Sequence, residues 1–206
     1  MRLFTWAGPL ALALLGSVAG AQTTPRRADL GALSHSLEGV VSRIAPAVVQ
    51  IQVAAYGPVG AGSTGANALI GTQRSTGSGV ILSRDGFIIT NAHVIEGGRR
   101  FIVIVPRPAV AGSPNRSVLP PVSLELPARL VGVDQETDLA VLKVEAKDLP
   151  FARLGDSDSL AAGQVVLAVG SPFGLASSVT MGVVSAMGRQ FRDEDRMVYI
   201  QTDTPI

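Results

Sequence analysis

"GSGVILSRDGFIITNAHVIEGG", residues 77–98, is the stretch whose reading decides the fold. Two short apolar runs, "GVILS" and "GFIIT", are separated by Arg84-Asp85-Gly86, a turn signal, and Glu96-Gly97-Gly98 supplies another. Runs of this length, broken by turns and not by helices, read as strands of an antiparallel sheet. His93 stands between the second run and the glycine turn, where a side chain at a strand end can act as a base. A lone histidine in such a place is as readily a hydrogen-bonded structural residue, so the position alone assigns no chemistry.

The same rhythm continues outward. "RFIVIV", "ARLVGV", "LAVLKV", "QVVLAVG" and "VTMGVVSA" follow at close intervals, and "AVVQIQV" precedes them with half-buried alternation. Many short strands with no helix between them predict an all-β barrel or sandwich. Residues 57–79 hold seven glycines with little periodicity and read as a loop. Residues 106–121, "PRPAVAGSPNRSVLPP", carry five prolines, which cannot sit in a central strand, and read as a surface insertion between two strands. Ahead of the strands, Leu30, Leu33, Leu37, Val40, Val41 and Ile44 recur at steps of three and four. This predicts an amphipathic helix capped by Asp29 and stopped by Pro46.

The first 21 residues have the make-up of an export signal: Arg2, an apolar stretch from Leu10 to Val18, and Ala19-Gly20-Ala21 as a small-residue cleavage site. The apolar stretch is too short to span a bilayer, so no stable membrane insertion is expected. Cleavage after Ala21 would release a periplasmic or secreted chain. With no cysteine, its stability rests on packing and not on disulfides. Seventeen basic against sixteen acidic residues give no electrostatic reason to expect nucleic acid. Two histidines and no cysteine leave little from which to build a metal site, and nothing calls for a cofactor. Asp156 and Asp158 in "LGDSDSL" fit a polar turn better than a metal site, because short polar side chains bond their own backbone. His35 reads as a solvated residue on the polar side of the first helix.

A second stretch changes the reading of His93. "DQETDLAVLKVE" places Asp138 at the entrance to an apolar strand. A base and an acid together suggest two members of a nucleophilic triad, with the acid buried beside the imidazole to fix its tautomer and stabilise its cation. These residues carry a resemblance. "GSGVILSRDGFIITNAHVIEGG", "GVDQETDLAVLKVE", "ARLGDSDSLAAGQVVLAVGSPFGL" and "VTMGVVSAMGR" resemble, in the right order, the protease domain of HtrA/DegP-type serine proteases.

The resemblance implies a trypsin-like double β-barrel with a short N-terminal helix, the second barrel incomplete in this chain. Residues 1–21 would be the signal peptide and 22–37 the N-terminal segment and helix start. Residues 38–145 would form the first barrel, with His93 and Asp138, and 146–206 a partial second barrel with strands near 151–154, 164–170, 178–187 and 197–202. His93 becomes the general base and Asp138 its orienting acid. Ser78, Ser171 and Ser185 are poor nucleophiles by context, and the family's serine lies in a Gly-Asn-Ser-Gly-Gly stretch just beyond a segment like "YIQTDTPI". The chain as written is therefore expected to be inactive. Asp203 would support the nucleophile loop. The loops "GSPFGL" and "RQFRDEDR" would lie near the site and at a hairpin tip. Unfolded or misfolded proteins would be the substrates, and assembly would be as a homotrimer through the amino-terminal segment. The rival is a non-catalytic, protease-like module that holds unfolded polypeptide as a chaperone.

Overall fold

A computed structural model of the chain describes residues 30–58, 70–107, 123–171, 178–190 and 197–205. Six strands close into a barrel: β1 (Val48–Pro58), β2 (Ile70–Ile81), β3 (Phe87–Asn91), β4 (Gly98–Pro106), β5 (Ser123–Asp134) and β6 (Leu139–Val144). Around the barrel their order is β1-β2-β3-β6-β5-β4, every pair antiparallel. A separate three-stranded antiparallel sheet, β7 (Val165–Gly170), β8 (Ser178–Arg189) and β9 (Tyr199–Thr202), follows. The all-β expectation holds.

The barrel follows from alternation. Val49, Ile51 and Val53 on β1, Phe101, Val103 and Val105 on β4, and Ala140, Leu142 and Val144 on β6 all point into one buried cluster with Ile81 and Ile88. Residues two apart in a strand share a face, so each run delivers one apolar side chain per repeat to the interior. Closure satisfies the backbone groups that an edge strand would leave unpaired. Gly86, between β2 and β3, is left-handed (φ 96°), and a Cβ there would lie 2.6 Å from the Val144 carbonyl oxygen. Only glycine meets both conditions at low cost.

Four local expectations are corrected. Residues 57–58 and 70–79, expected as loop, are strand: they belong to β1 and β2, which pair without a break from Ile70 to Val80. The polar side chains from Thr72 to Thr76 are exposed, and Gly77 and Gly79 interrupt the apolar rhythm because neighbours crowd them. A Cβ on Gly77 would lie 2.5 Å from Val94, and one on Gly79 would lie 2.7 Å from Ile51. Residues 151–154 are not a strand. They form an extended tether bonded to the barrel, Ala152 N donating to the Ile81 carbonyl at 2.9 Å, with Phe151 against the barrel core under Arg84. A one-turn helix, α2 (Ala92–Ile95), stands between β3 and β4. The fourth correction concerns Asp138 and is described with the site.

The N-terminal helix, α1 (Leu30–Ile44), forms as its spacing predicts, and a 3-10 turn containing Pro46 ends it. It buries no residue completely, and Leu30, Leu33 and Val40 remain exposed. Its proposed cap, Asp29, the 1–21 signal and most of the proline-rich stretch lie outside the described residues. The strands flanking that stretch end at Pro106 and resume at Ser123. Most of "GSPFGL" and of "RQFRDEDR" lies outside them as well. No helix among the described residues is long and apolar enough to cross a membrane.

Candidate active site

Two turns at one end of the barrel bring His93 and Asp138 together. Strand β3 pairs with β6 so that Asn91 lies opposite Leu139. The residues just beyond this pair, on α2 and on the turn before β6, therefore meet at the rim. Ala92 N donates to the Asp138 carbonyl at 3.0 Å, extending the ladder one step into the site.

The turn that carries Asp138 is organised by Asp134. Its carboxylate accepts from Glu136 N at 3.0 Å and from the Thr137 hydroxyl at 2.9 Å. This is the short-range bonding that makes aspartate a turn former. Asp138 itself adopts a left-handed backbone (φ 55°), a region that aspartate tolerates better than most side chains. The conformation aims its carboxylate back at the helix.

Both carboxylate oxygens are used. Oδ2 lies 2.7 Å from His93 Nδ1 and accepts from Asn91 Nδ2 at 3.2 Å, while Oδ1 accepts from His93 N at 2.9 Å. Asn91 Nδ2 also reaches the Asp138 carbonyl at 3.2 Å. One aspartate thus grips the histidine by backbone and by ring. Because a carboxylate only accepts, the shared proton belongs on Nδ1, which leaves the Nε2 lone pair available. The hydrogen bond from His93 N, then that from the ring, and the nearby imidazole hold the Asp138 carboxyl below its ordinary range.

The expectation that Asp138 is buried does not hold. Its side chain is 45% exposed and that of His93 68%, so the pair opens to solvent at the barrel rim. Hydrogen bonds, not burial, fix this carboxylate. Among the described residues no hydroxyl bonds His93 Nε2. Ser78 is engaged elsewhere: its hydroxyl accepts from Ser171 N at 3.0 Å and its carbonyl from the Thr90 hydroxyl at 2.7 Å. Ser185 stands on β8.

Sequence reasoning placed both members of the pair but passed over Asn91 and Asp134. The signal for Asp134 was present, an aspartate opening "DQETD", where a turn former three residues before Thr137 invites the bond observed. Asn91 offers no such signal, since its partner lies 47 positions away. Asp203 accepts from Val183 N at 2.7 Å through its carboxylate and so ties the segment after β9 to β8. Asp156 caps a 3-10 turn by accepting from Asp158 N at 3.0 Å. His35 lies on α1, exposed, 3.5 Å from Glu38.

Comparison with known proteins bears on this arrangement. The sequence profile of the family described as "Trypsin-like peptidase domain" matches residues 77–206. A "Probable periplasmic serine endoprotease DegP-like" of Pseudomonas savastanoi pv. phaseolicola is 47% identical over 133 residues, covering 65% of this chain and 25% of that protein. A protein of the same name from Halomonas elongata is 47% identical over 134 residues, with the same coverage. Among solved structures, the HtrA-type protease AlgW with tripeptide superposes with a TM-score of 0.63 at 38% identity, covering 82% of this chain and 46% of that one. Deg5 gives a TM-score of 0.61 at 28% identity, covering 84% of this chain and 75% of that one. The chain spans about a quarter of the length of the curated relatives it matches. With the barrel, the partial second sheet and the ordered motifs, these likenesses make the chain a member of the trypsin-like peptidase family, of HtrA type.

Proposed function

We propose that the protein is a periplasmic serine endopeptidase of protein quality control, acting on unfolded or misfolded polypeptides. His93 serves as general base and Asp138 as the acid that orients it. The observation that carries this reading is the two-handed grip of Asp138 on His93, by ring at 2.7 Å and by backbone at 2.9 Å. The two contacts together fix the ring's position and tautomer, which is what a general base requires. An imidazole so held cannot rotate or change tautomer, and its Nε2 is the atom that takes a proton from an attacking hydroxyl and returns it to the leaving amine. As the imidazolium forms, the adjacent carboxylate stabilises its charge. Catalysis needs no metal in this scheme, because the serine attacks the carbonyl directly and an acyl-enzyme forms and is hydrolysed.

Export with removal of residues 1–21, a first barrel over 38–145, a second over 146–206 and assembly as a trimer through the amino-terminal segment belong to the same proposal. So does the inactivity of the 206-residue chain by itself, since no described hydroxyl reaches Nε2. The nucleophile and its oxyanion donors would come from a Gly-Asn-Ser-Gly-Gly loop, and each such donor is worth about 3 kcal/mol in the transition state.

The test is to read the coding DNA past Ile206 and assay the encoded product on casein. A serine in the glycine-rich setting is expected, with hydrolysis that falls by about ten thousandfold in Asp138→Asn and at least as far in His93→Ala. A verified stop codon, or casein cleavage that survives His93→Ala, would sink the proposal and favour the chaperone reading.

A further inference from the structure

On the outer wall of the barrel lies a cluster of arginines with no counter-ion among the described residues. The register pairs Ala54 of β1 with Arg74 of β2 on one side and with Arg100 of β4 on the other. Residues directly opposite share a face, so the two arginines flank one small side chain. Val53 faces the core, so the Ala54 face looks outward. The neighbouring Arg99 joins them, beside a bulge in the β1–β4 register at Ala54 and Ala55. Together with Gln52, Tyr56 and Thr72 they line an open groove of about 670 Å³.

Like charges set across a sheet repel, and sequences ordinarily place an acid between them. Here none does. The ion pairs among the described residues are His35–Glu38, His93–Asp138, Arg129–Glu145 and Lys143–Glu145, and the three arginines enter none. Glu96, just before β4, and Glu125, opposite Ile104 on β5, form no ion pair with them. The sequence from 59 to 69, between β1 and β2, contains no acidic residue.

We infer that this groove is a binding site for an acidic stretch of polypeptide. The inference rests on the reading of the protein as a polypeptide-cleaving enzyme and names the part of the substrate it would hold. Backbones two strands apart are separated by roughly 10 Å, so Arg74 and Arg100 match two carboxylates of one chain better than a single small anion. Guanidinium groups bind carboxylates through paired hydrogen bonds, and Gln52 and Thr72 add an amide and a hydroxyl for the ligand backbone. Strand β1 already has a partner on each side, so the ligand lies across the strands and does not extend the sheet. The groove lies on β1, β2 and β4, whereas the candidate site lies on β3, α2 and the turn before β6. Arg99 and Arg100 follow His93 by six and seven residues, and Arg74 is three residues from Gly77, against which Val94 of the site helix packs.

The experiment measures binding by the 206-residue chain, with no need for hydrolysis. Fluorescein-labelled hexaglutamate and hexaglutamine are titrated at low salt and followed by anisotropy. Hexaglutamate is expected to bind and hexaglutamine not to. Arg74→Gln with Arg100→Gln should weaken binding by about tenfold or more, and Lys147→Gln, an exposed cation elsewhere, should leave it unchanged. Equal affinity for the two peptides, or undiminished binding by the double variant, overturns the inference. So does tighter binding to phosphatidylglycerol vesicles that the same double variant abolishes, which would assign the groove to a membrane surface. Failure of casein hydrolysis would count against the enzymatic reading and leave this binding result standing.

Discussion

The barrel and the three-stranded sheet are written in the same alphabet of short, valine-rich runs, yet they end in different physical states. In the barrel each strand has two partners, and Ile51, Ile81, Ile88, Val103, Leu142 and Val144 are fully buried. In the sheet, β7 and β9 have one partner each among the described residues. Val184 is the only side chain described there that is fully buried, while Val165, Val179, Met181 and Ile200 are exposed. Alternation in a strand therefore specifies which residues could share a core. Closure decides whether that core exists.

The largest expected effect tests whether stability resides in the closed half. Leu142→Ala empties a site at the centre of the barrel and should cost about 3 kcal/mol, within the usual span for buried leucine. Met181→Ala on β8, already half in solvent, should cost under about 1 kcal/mol. Urea unfolding followed by circular dichroism measures both. Equal losses would mean that Met181 is packed as tightly as Leu142, and the contrast would collapse.

How much of this was legible in the residues follows the same division. The barrel strands could be read because their apolar residues alternate, and His93 and Asp138 could be read because each follows or precedes such a run. The first half of β2 could not, since "IGTQRSTGSG" is polar and exposed from Thr72 to Thr76 and places glycines where Val94 and Ile51 crowd in. Nor could the tether at 151–154 be told from a strand. Phe151 and Leu154 look alike in sequence, but Phe151 packs on the core while Leu154 is exposed. The exposure of Asp138 was hidden for a related reason: its hydrogen bonds come from residues more than forty positions away. Such long-range pairing leaves no local pattern.

A smaller effect sharpens the comparison at the turn that joins β2 to β3. Gly86→Ala must place a Cβ against the Val144 carbonyl while keeping a left-handed backbone, and should cost about 2 kcal/mol. Gly163, in the connection leading to β7, is also left-handed (φ 90°) but has open space around its Cβ position. Gly163→Ala should cost only the backbone term, about 1 kcal/mol. Thermal melts of the two variants separate steric crowding from backbone strain, and a larger loss at Gly163 would overturn that division.

The smallest effect concerns the rim of the barrel, where structure and chemistry meet. Asp138 has its carboxyl held below the ordinary range, chiefly by the hydrogen bond from His93 N and then by the ring. A group whose folded-state pKa is depressed stabilises the fold above its unfolded value, about 3.9 for aspartate, and loses that contribution as pH falls through the folded value. In that window the unfolded chain binds more protons, so stability must rise with pH. The urea midpoint should therefore decline as pH drops below about 4, with Asp138 contributing part of the slope. Asp138→Asn removes the titrating group and should make the decline shallower, without the large loss seen in Leu142→Ala. Asn91→Ala removes only one donor to the same carboxylate and should shift the decline slightly toward higher pH. If Asp138→Asn left the acid limb unchanged, the grip on His93 would not be what holds that carboxyl down. The rim would then be no more than an exposed turn beside a histidine, and the geometry that carries the enzymatic reading would lose its energetic support.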